Sequence, residues 1–191
     1  MKTLTRNNKL FLYWLAAFSL VFLMAVILPA HSRAATVTLR PSADGLYTEY
    51  ATPSSGTHFD DVDEASADDD TTYIETGGAD DIDFFDVPTS GIAGGSTINS
   101  VTIWARGMRI DNLADIRISF REGVNSTDDF GTLVGLTASY ADYSRAMSVN
   151  PLTSSAWTLA EVNSLQIGVQ HYRNNKNERV TQVYAVIDYT A

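Results

Sequence analysis

From residue 35 onward no stretch keeps apolar residues at helical spacing. Short alternating or β-branched runs recur instead, divided by clusters of Gly, Asp and Ser, which is the pattern of strands that bury one face. Ten such runs can be marked: 36–40, 46–50, 72–75, 82–87, 98–106, 115–121, 133–140, 145–149, 165–172 and 179–189. Ten short strands with regular turn signals predict an all-β fold, an antiparallel two-sheet β-sandwich of jelly-roll type.

Several runs alternate cleanly enough to assign faces. Ile116, Ile118 and Phe120 oppose Arg117, Ser119 and Arg121, and Val101, Ile103 and Ala105 oppose Thr102, Trp104 and Arg106, so the apolar set of each belongs to the core. In the last run Val180, Gln182, Tyr184, Val186 and Asp188 oppose Thr181, Val183, Ala185, Ile187 and Tyr189. That run is apolar on both faces along part of its length, as a central or interface strand is. The one helical signal is Thr158-Leu-Ala-Glu161, a capping box that predicts a short turn over 158–163, with Trp157 as its staple.

The N-terminus has a different pattern. Lys2, Arg6 and Lys9 precede Leu10–Leu28, in which Ser19 is the clearly polar member, and Pro29 and Ser32-Arg33-Ala34 follow. A charged start, an apolar run, a helix breaker and small residues predict an export signal over 1–34, cleaved after Ala34, and a single domain over 35–191. Nineteen apolar residues are close to the ~20 that span a bilayer, so an uncleaved anchor is the alternative and the one membrane contact expected. In both cases the folded part is secreted or displayed at the cell surface.

Charge narrows the partners. The chain holds 13 Lys and Arg against 23 Asp and Glu. Without Lys2, Arg6, Lys9 and Arg33 the balance is 9 against 23, or −14. Nucleic acid is excluded as a partner, because it requires a basic face. Cysteine is absent, which excludes disulfides and thiolate chemistry. Residues 41–105 carry 14 acids and no Lys or Arg.

The densest acidic segment, 60–70, places seven carboxylates in eleven residues. Asp61, Asp63, Asp68 and Asp70 make it a candidate Ca²⁺ site, since a hard cation relieves such repulsion by gathering oxygens. It lacks the glycine and terminal glutamate of a calcium loop, and a solvated acidic loop is the alternative reading. No motif singles out a catalytic residue: among the remaining histidines His171 reads as a turn residue, and no nucleophile elbow or phosphate loop occurs. The expectation is therefore a non-enzyme. Among the aromatics, Trp104 faces away from the core side of its strand and is the candidate binding surface for a glycan or partner. Asn125-Ser-Thr127 is a glycosylation sequon, read as chance in an exported prokaryotic product.

The series Leu39-Arg-Pro41, DVDEASADDDTTYIET, INSVTIWARG, Asn150-Pro151 through Val169 and RVTQVYAVIDYT resembles a jelly-roll-like β-sandwich module of secreted prokaryotic surface proteins and phage structural proteins. The resemblance implies a non-enzymatic structural or adhesive subunit of the cell surface or an extracellular fibre. The first strand, Thr36, Val37, Thr38, Leu39 and Arg40, is short and terminal, set off by Pro41. It is expected either to be donated to a neighbouring copy, building a homo-oligomer or fibre, or to stay as an edge strand of its own sheet. The alternative function is a carbohydrate-binding module with a surface glycan as partner.

Overall fold

A computed structural model describes residues 33–191 apart from 55, 77 and 173–175. The predicted export signal, but for its last two residues, lies outside the described residues. Ten strands form two antiparallel sheets. Sheet I runs β1 (Ala34–Leu39), β10 (Glu178–Thr190), β5 (Thr97–Arg109), β8 (Ala141–Met147), with β3 (Ile74–Thr76) paired to the start of β10. Sheet II runs β2 (Ala43–Thr48), β4 (Ile82–Asp86), β9 (Leu165–His171), β6 (Asp115–Glu122), β7 (Thr127–Gly135). The chain changes sheet at every connection except the β6–β7 hairpin, so the two sheets are assembled together around one core.

The predicted faces hold. Ile116, Ile118 and Phe120 of β6 are buried, as are Val101, Ile103 and Ala105 of β5 and Val183, Ala185 and Ile187 of β10. Strict alternation fails once in β10. A bulge between Val180 and Gln182 inserts Thr181, and the extra residue turns Val180 inward with Val183, where alternation had set them on opposite faces. Thr181 is itself buried, its Oγ1 donating to Thr72 O at 2.9 Å.

Three strands lie three or more residues earlier at their start than their apolar runs suggested, β2 at 43–48, β7 at 127–135 and β8 at 141–147. The first half of β7 has charges where an apolar pattern would be. Asp128 pairs with Arg121 and Asp129 with Arg145, and ion pairs on an edge strand leave no hydrophobic period to read.

The capped turn is present as α1 (Leu159–Val162). Glu161 N donates to Thr158 Oγ1 at 3.2 Å and Thr158 N to Glu161 Oε2 at 2.7 Å, so each residue satisfies the other's orphan amide. Trp157, just before it, is buried. Its indole N–H donates to Met147 O at 3.1 Å, and its ring lies 5.5 Å from that of Phe120.

Phe120 therefore touches both the sheet core and the turn. Phe120→Ala is expected to cost ~3–5 kcal/mol in urea unfolding. A loss below about 1 kcal/mol would place the ring outside the core.

Candidate functional site

The outward side of sheet II carries three rows of side chains in register. Asp86, Gln166, Arg121 and Asp128 form one row across β4, β9, β6 and β7. Phe84, Gly168, Ser119 and Phe130 form the next, and Ile82, Gln170, Arg117 and Leu133 the third. Strand alternation sends each of these side chains away from the core.

The middle row depends on a missing side chain. A Cβ at Gly168 would stand 1.9 Å from Asp83 O and 2.8 Å from Phe84 Cδ1. Phe84 uses that space and is fully buried on the outward side of the sheet. Its ring lies 5.6 Å from that of Tyr47, tilted by 53°, and 6.4 Å from that of Phe130, nearly parallel at 16°.

The sheet is curled. Tyr47 belongs to β2 at one edge and Asp128 to β7 at the other, yet the phenol donates to Asp128 Oδ2 at 3.3 Å. In a flat sheet four steps of about 4.8 Å would hold those strands roughly 19 Å apart, beyond the joint reach of the two side chains. The face is therefore a trough, and Tyr47–Asp128 is a strap across one end. Polar bonds fix that end: Arg121 Nη1 donates to Asp128 Oδ1 at 2.5 Å, Gln166 Nε2 to Asp86 Oδ1 at 2.8 Å, and Leu46 N to Gln166 Oε1 at 3.1 Å.

Among the described residues the other end is open. Phe130, Leu133 and Tyr172 are 39%, 44% and 41% exposed. Between them Arg117 Nη1 donates to Gln170 Oε1 at 3.0 Å, and its guanidinium lies 4.8 Å over the Tyr172 ring. Rings beside fixed donors and acceptors suit a ligand with apolar faces and polar edges.

The residues expected from the sequence lie elsewhere. Asp61 is buried at the end of a 3-10 turn (Phe59–Asp61). Asp68 accepts from Thr72 Oγ1 at 3.0 Å and Thr181 Oγ1 at 3.3 Å, while Asp70 takes Arg179 Nη1 at 2.9 Å and Tyr140 OH at 3.0 Å. Burial and the neighbouring Asp60 raise the Asp63 carboxyl. Among the described residues no three acidic or histidine side chains gather as a metal cage. The structure brings cations to this segment that its own sequence lacks. Arg106 grips Asp69 through Nε and Nη2 at 2.7 and 3.0 Å, holding that carboxyl below its ordinary range, and Arg40 donates to Glu64 O and Ala65 O.

Trp104 lies on the outward side of sheet I, half-buried, across the sandwich from the trough. Its ring stacks on Tyr184 at 6.1 Å and 8°, and Arg40 of the neighbouring chain segment covers Tyr184 at 5.0 Å. Residues Thr36, Val37, Thr38 and Leu39 lie in β1, which pairs antiparallel with β10 of the same chain, Ala34 opposite Thr190 through Leu39 opposite Ala185. The sequon residue Asn125 donates its side-chain amide to Glu122 Oε2 at 2.8 Å.

His171 is not a turn residue. It is fully buried at the end of β9, its Nδ1 2.9 Å from Glu178 Oε2, and Glu178 Oε1 accepts from Tyr50 OH at 2.8 Å. Nearby, Asp83 takes Glu49 N, Tyr50 N and His58 Nδ1 at 2.6, 2.9 and 2.6 Å. Nothing local in the sequence marks this cluster, because its members come from five separate segments. Burial raises the Glu178 and Asp83 carboxyls above the ordinary range, with His171 and Tyr50 opposing the shift at Glu178, and the Tyr50 amide and His58 opposing it at Asp83.

No protein-family model matches the chain, and no curated protein does. Among solved structures, the CBM22-1 xylan-binding domain of Xyn10C from Paenibacillus barcinonensis superposes with a TM-score of 0.45 at 9% identity, over 82% of this chain and 95% of that one. The xylan-binding module CBM15 gives 0.44 at 14%, over 82% and 96%. The family 11 carbohydrate-binding module of the cellulase Lic26A-Cel5E of Clostridium thermocellum gives 0.36 at 13%, over 83% and 89%.

The buried carboxyls set a pH dependence. A carboxyl with its folded pKa above its unfolded value takes up its proton first in the folded state, so stability rises as pH falls through that window. The melting temperature is expected to climb as pH falls toward the ordinary carboxylate range of about 4, and Glu178→Gln to flatten the slope. A melting temperature that drops steadily over the same interval would overturn this.

Proposed function

We propose that the mature chain is an exported, non-catalytic module that binds carbohydrate in the trough of sheet II. The observation that carries this is the open end of the trough, where Phe130, Leu133 and Tyr172 stand exposed around the hydrogen-bonded pair Arg117–Gln170. A sugar ring presents a C–H face that packs on an aromatic ring and hydroxyls that need fixed donors and acceptors, and both are provided within one curved face.

Two features separate this reading from its rivals. A glycosidase needs a carboxylic acid free to give up a proton beside a second carboxylate. The two acids in the trough rows, Asp86 and Asp128, each accept hydrogen bonds from fixed side-chain donors, which suits positioning. A fibre subunit built by strand donation needs β1 to leave its sheet, and β1 is paired with β10 along its six residues. Export follows from the pattern of residues 1–34, and among the described residues no helix is long and apolar enough to cross a membrane.

Affinity electrophoresis and calorimetry on soluble polysaccharides test the reading. Phe130→Ala and Tyr172→Ala are each expected to weaken binding about tenfold, the equivalent of ~1.4 kcal/mol, within the range of a lost aromatic contact. Trp104→Ala, on the opposite sheet, is expected to leave affinity unchanged. The reverse result, with Trp104→Ala abolishing binding and the trough variants silent, would move the site to sheet I.

A further inference from the structure

The geometry points to a carboxylate-bearing carbohydrate, one containing uronic acid, as the ligand of the trough, with Arg117 as the residue that selects it. This rests on the trough being the carbohydrate site and adds the chemical class of sugar.

The argument begins with charge. In a mature chain with 23 acids and 9 bases, a carboxylate is the commonest partner an arginine can meet. Arg121 takes Asp128, Arg145 takes Asp129, Arg106 takes Asp69 and Asp142, and Arg179 takes Glu75 and Asp70. Arg40, Arg109 and Arg117 take none of the described carboxylates; Arg40 and Arg109 donate to backbone carbonyls, Glu64 O, Ala65 O and Leu136 O, and of the three it is Arg117 that lies in the trough. Its contacts are a neutral amide oxygen, Gln170 Oε1, and the face of Tyr172. Its row mates on either side are Ile82 across β9 and Leu133 on β7, which add no countercharge. The nearest acid along β6, Asp115, stands opposite Gly135, its Oδ1 3.3 Å from where a Cβ at 135 would be.

Two contacts hold the guanidinium still. One of its five N–H groups is engaged by Gln170 and its Cζ lies 4.8 Å over the Tyr172 ring, which leaves donors in the fork that matches the two oxygens of a carboxylate. A charge-assisted, bidentate pair of this kind is about twice as strong as a neutral hydrogen bond. For hydroxyls alone, the amide of Gln170 would serve without a cation. The other arginine of the face, Arg121, is committed to Asp128 beneath the strap, so the charged selection falls at the open end, beside the exposed rings.

The test compares polymers that differ only in the carboxyl group. Glucuronoxylan, polygalacturonate and alginate are each paired with their carboxyl-reduced counterparts and titrated against the whole mature protein by calorimetry. At least one native polymer is expected to bind tenfold or more tightly than its reduced form. Arg117→Gln is expected to erase that difference, weakening the native polymer by tenfold or more beyond any loss it causes for the reduced one, with the melting temperature unchanged, and Arg117→Lys to recover part of it. Equal binding of native and reduced polymers, or a preference that survives Arg117→Gln, overturns the assignment and leaves the carbohydrate reading standing. Failure to bind every one of these polymers, and every neutral glycan tested on the wild type, overturns both.

Discussion

The trough exists because position 168 has no side chain. Asp83 O and the Phe84 ring occupy the space a Cβ would need, so β4 and β9 close up and Phe84 sinks onto the sheet. A phenylalanine fully buried on an outward face then gives Tyr47 and Phe130 a surface to pack against from the two edges. That packing draws the edges toward each other, and the strap between Tyr47 and Asp128 is the measure of how far they come. Curvature, burial of Phe84 and the placing of Arg121 are one event, with its origin in a single close backbone approach. Ser119, the other small residue of the row, leaves the neighbouring floor equally shallow.

Sheet I solves a different problem, the repulsion within residues 60–70. The edge of β10 is covered by β1 from Ala185 onward and by β3 up to Val180. The interval between them is filled by the acidic segment itself: Val183 N donates to Val62 O at 2.9 Å and Thr181 Oγ1 to Thr72 O at 2.9 Å. Once the segment is seated there, Arg106, Arg179 and Arg40 of the sheet lie beside it. Cationic partners for its carboxylates thus come from 37 and 109 positions away in sequence. Such exposed pairs add little stability individually, but together they offset a concentration of like charge that would otherwise oppose the fold.

The buried acids make a third layer. Glu178 and Asp83 sit inside the sandwich with a histidine each and share Tyr50, one through its hydroxyl and the other through its amide. Breaking such a pair leaves a buried charge without its partner, which is far costlier than the pair is favourable. The cluster therefore ties Tyr50, His58 and the facing ends of β9 and β10 to the core, and Tyr172 follows His171 directly.

The strands of this protein could be read from its sequence because a half-buried strand must alternate. Ile116, Ile118 and Phe120 announced the core face of β6, and Arg117 and Arg121 were already marked as its outward side. The capped turn was equally plain, since Thr158 and Glu161 act on each other within three residues. Alternation failed at Thr181, where an inserted residue turns Val180 into the core, and in the first half of β7, where ion pairs replace apolar contacts. The trough itself was not legible. Its rows join residues from strands far apart in the chain, and which outward residues become neighbours is set by strand order and register, to which local periodicity is blind. Nothing in the local sequence sets Gly168 apart from an ordinary strand glycine; only the approach of Asp83 O and the Phe84 ring does. Composition and local pattern determined that this chain is acidic, all-β and a two-sheet sandwich. Tertiary structure alone decided which face curls, which arginines pair with a described carboxylate, and which aromatic rings stay exposed, because those depend on contacts between segments that share no local sequence.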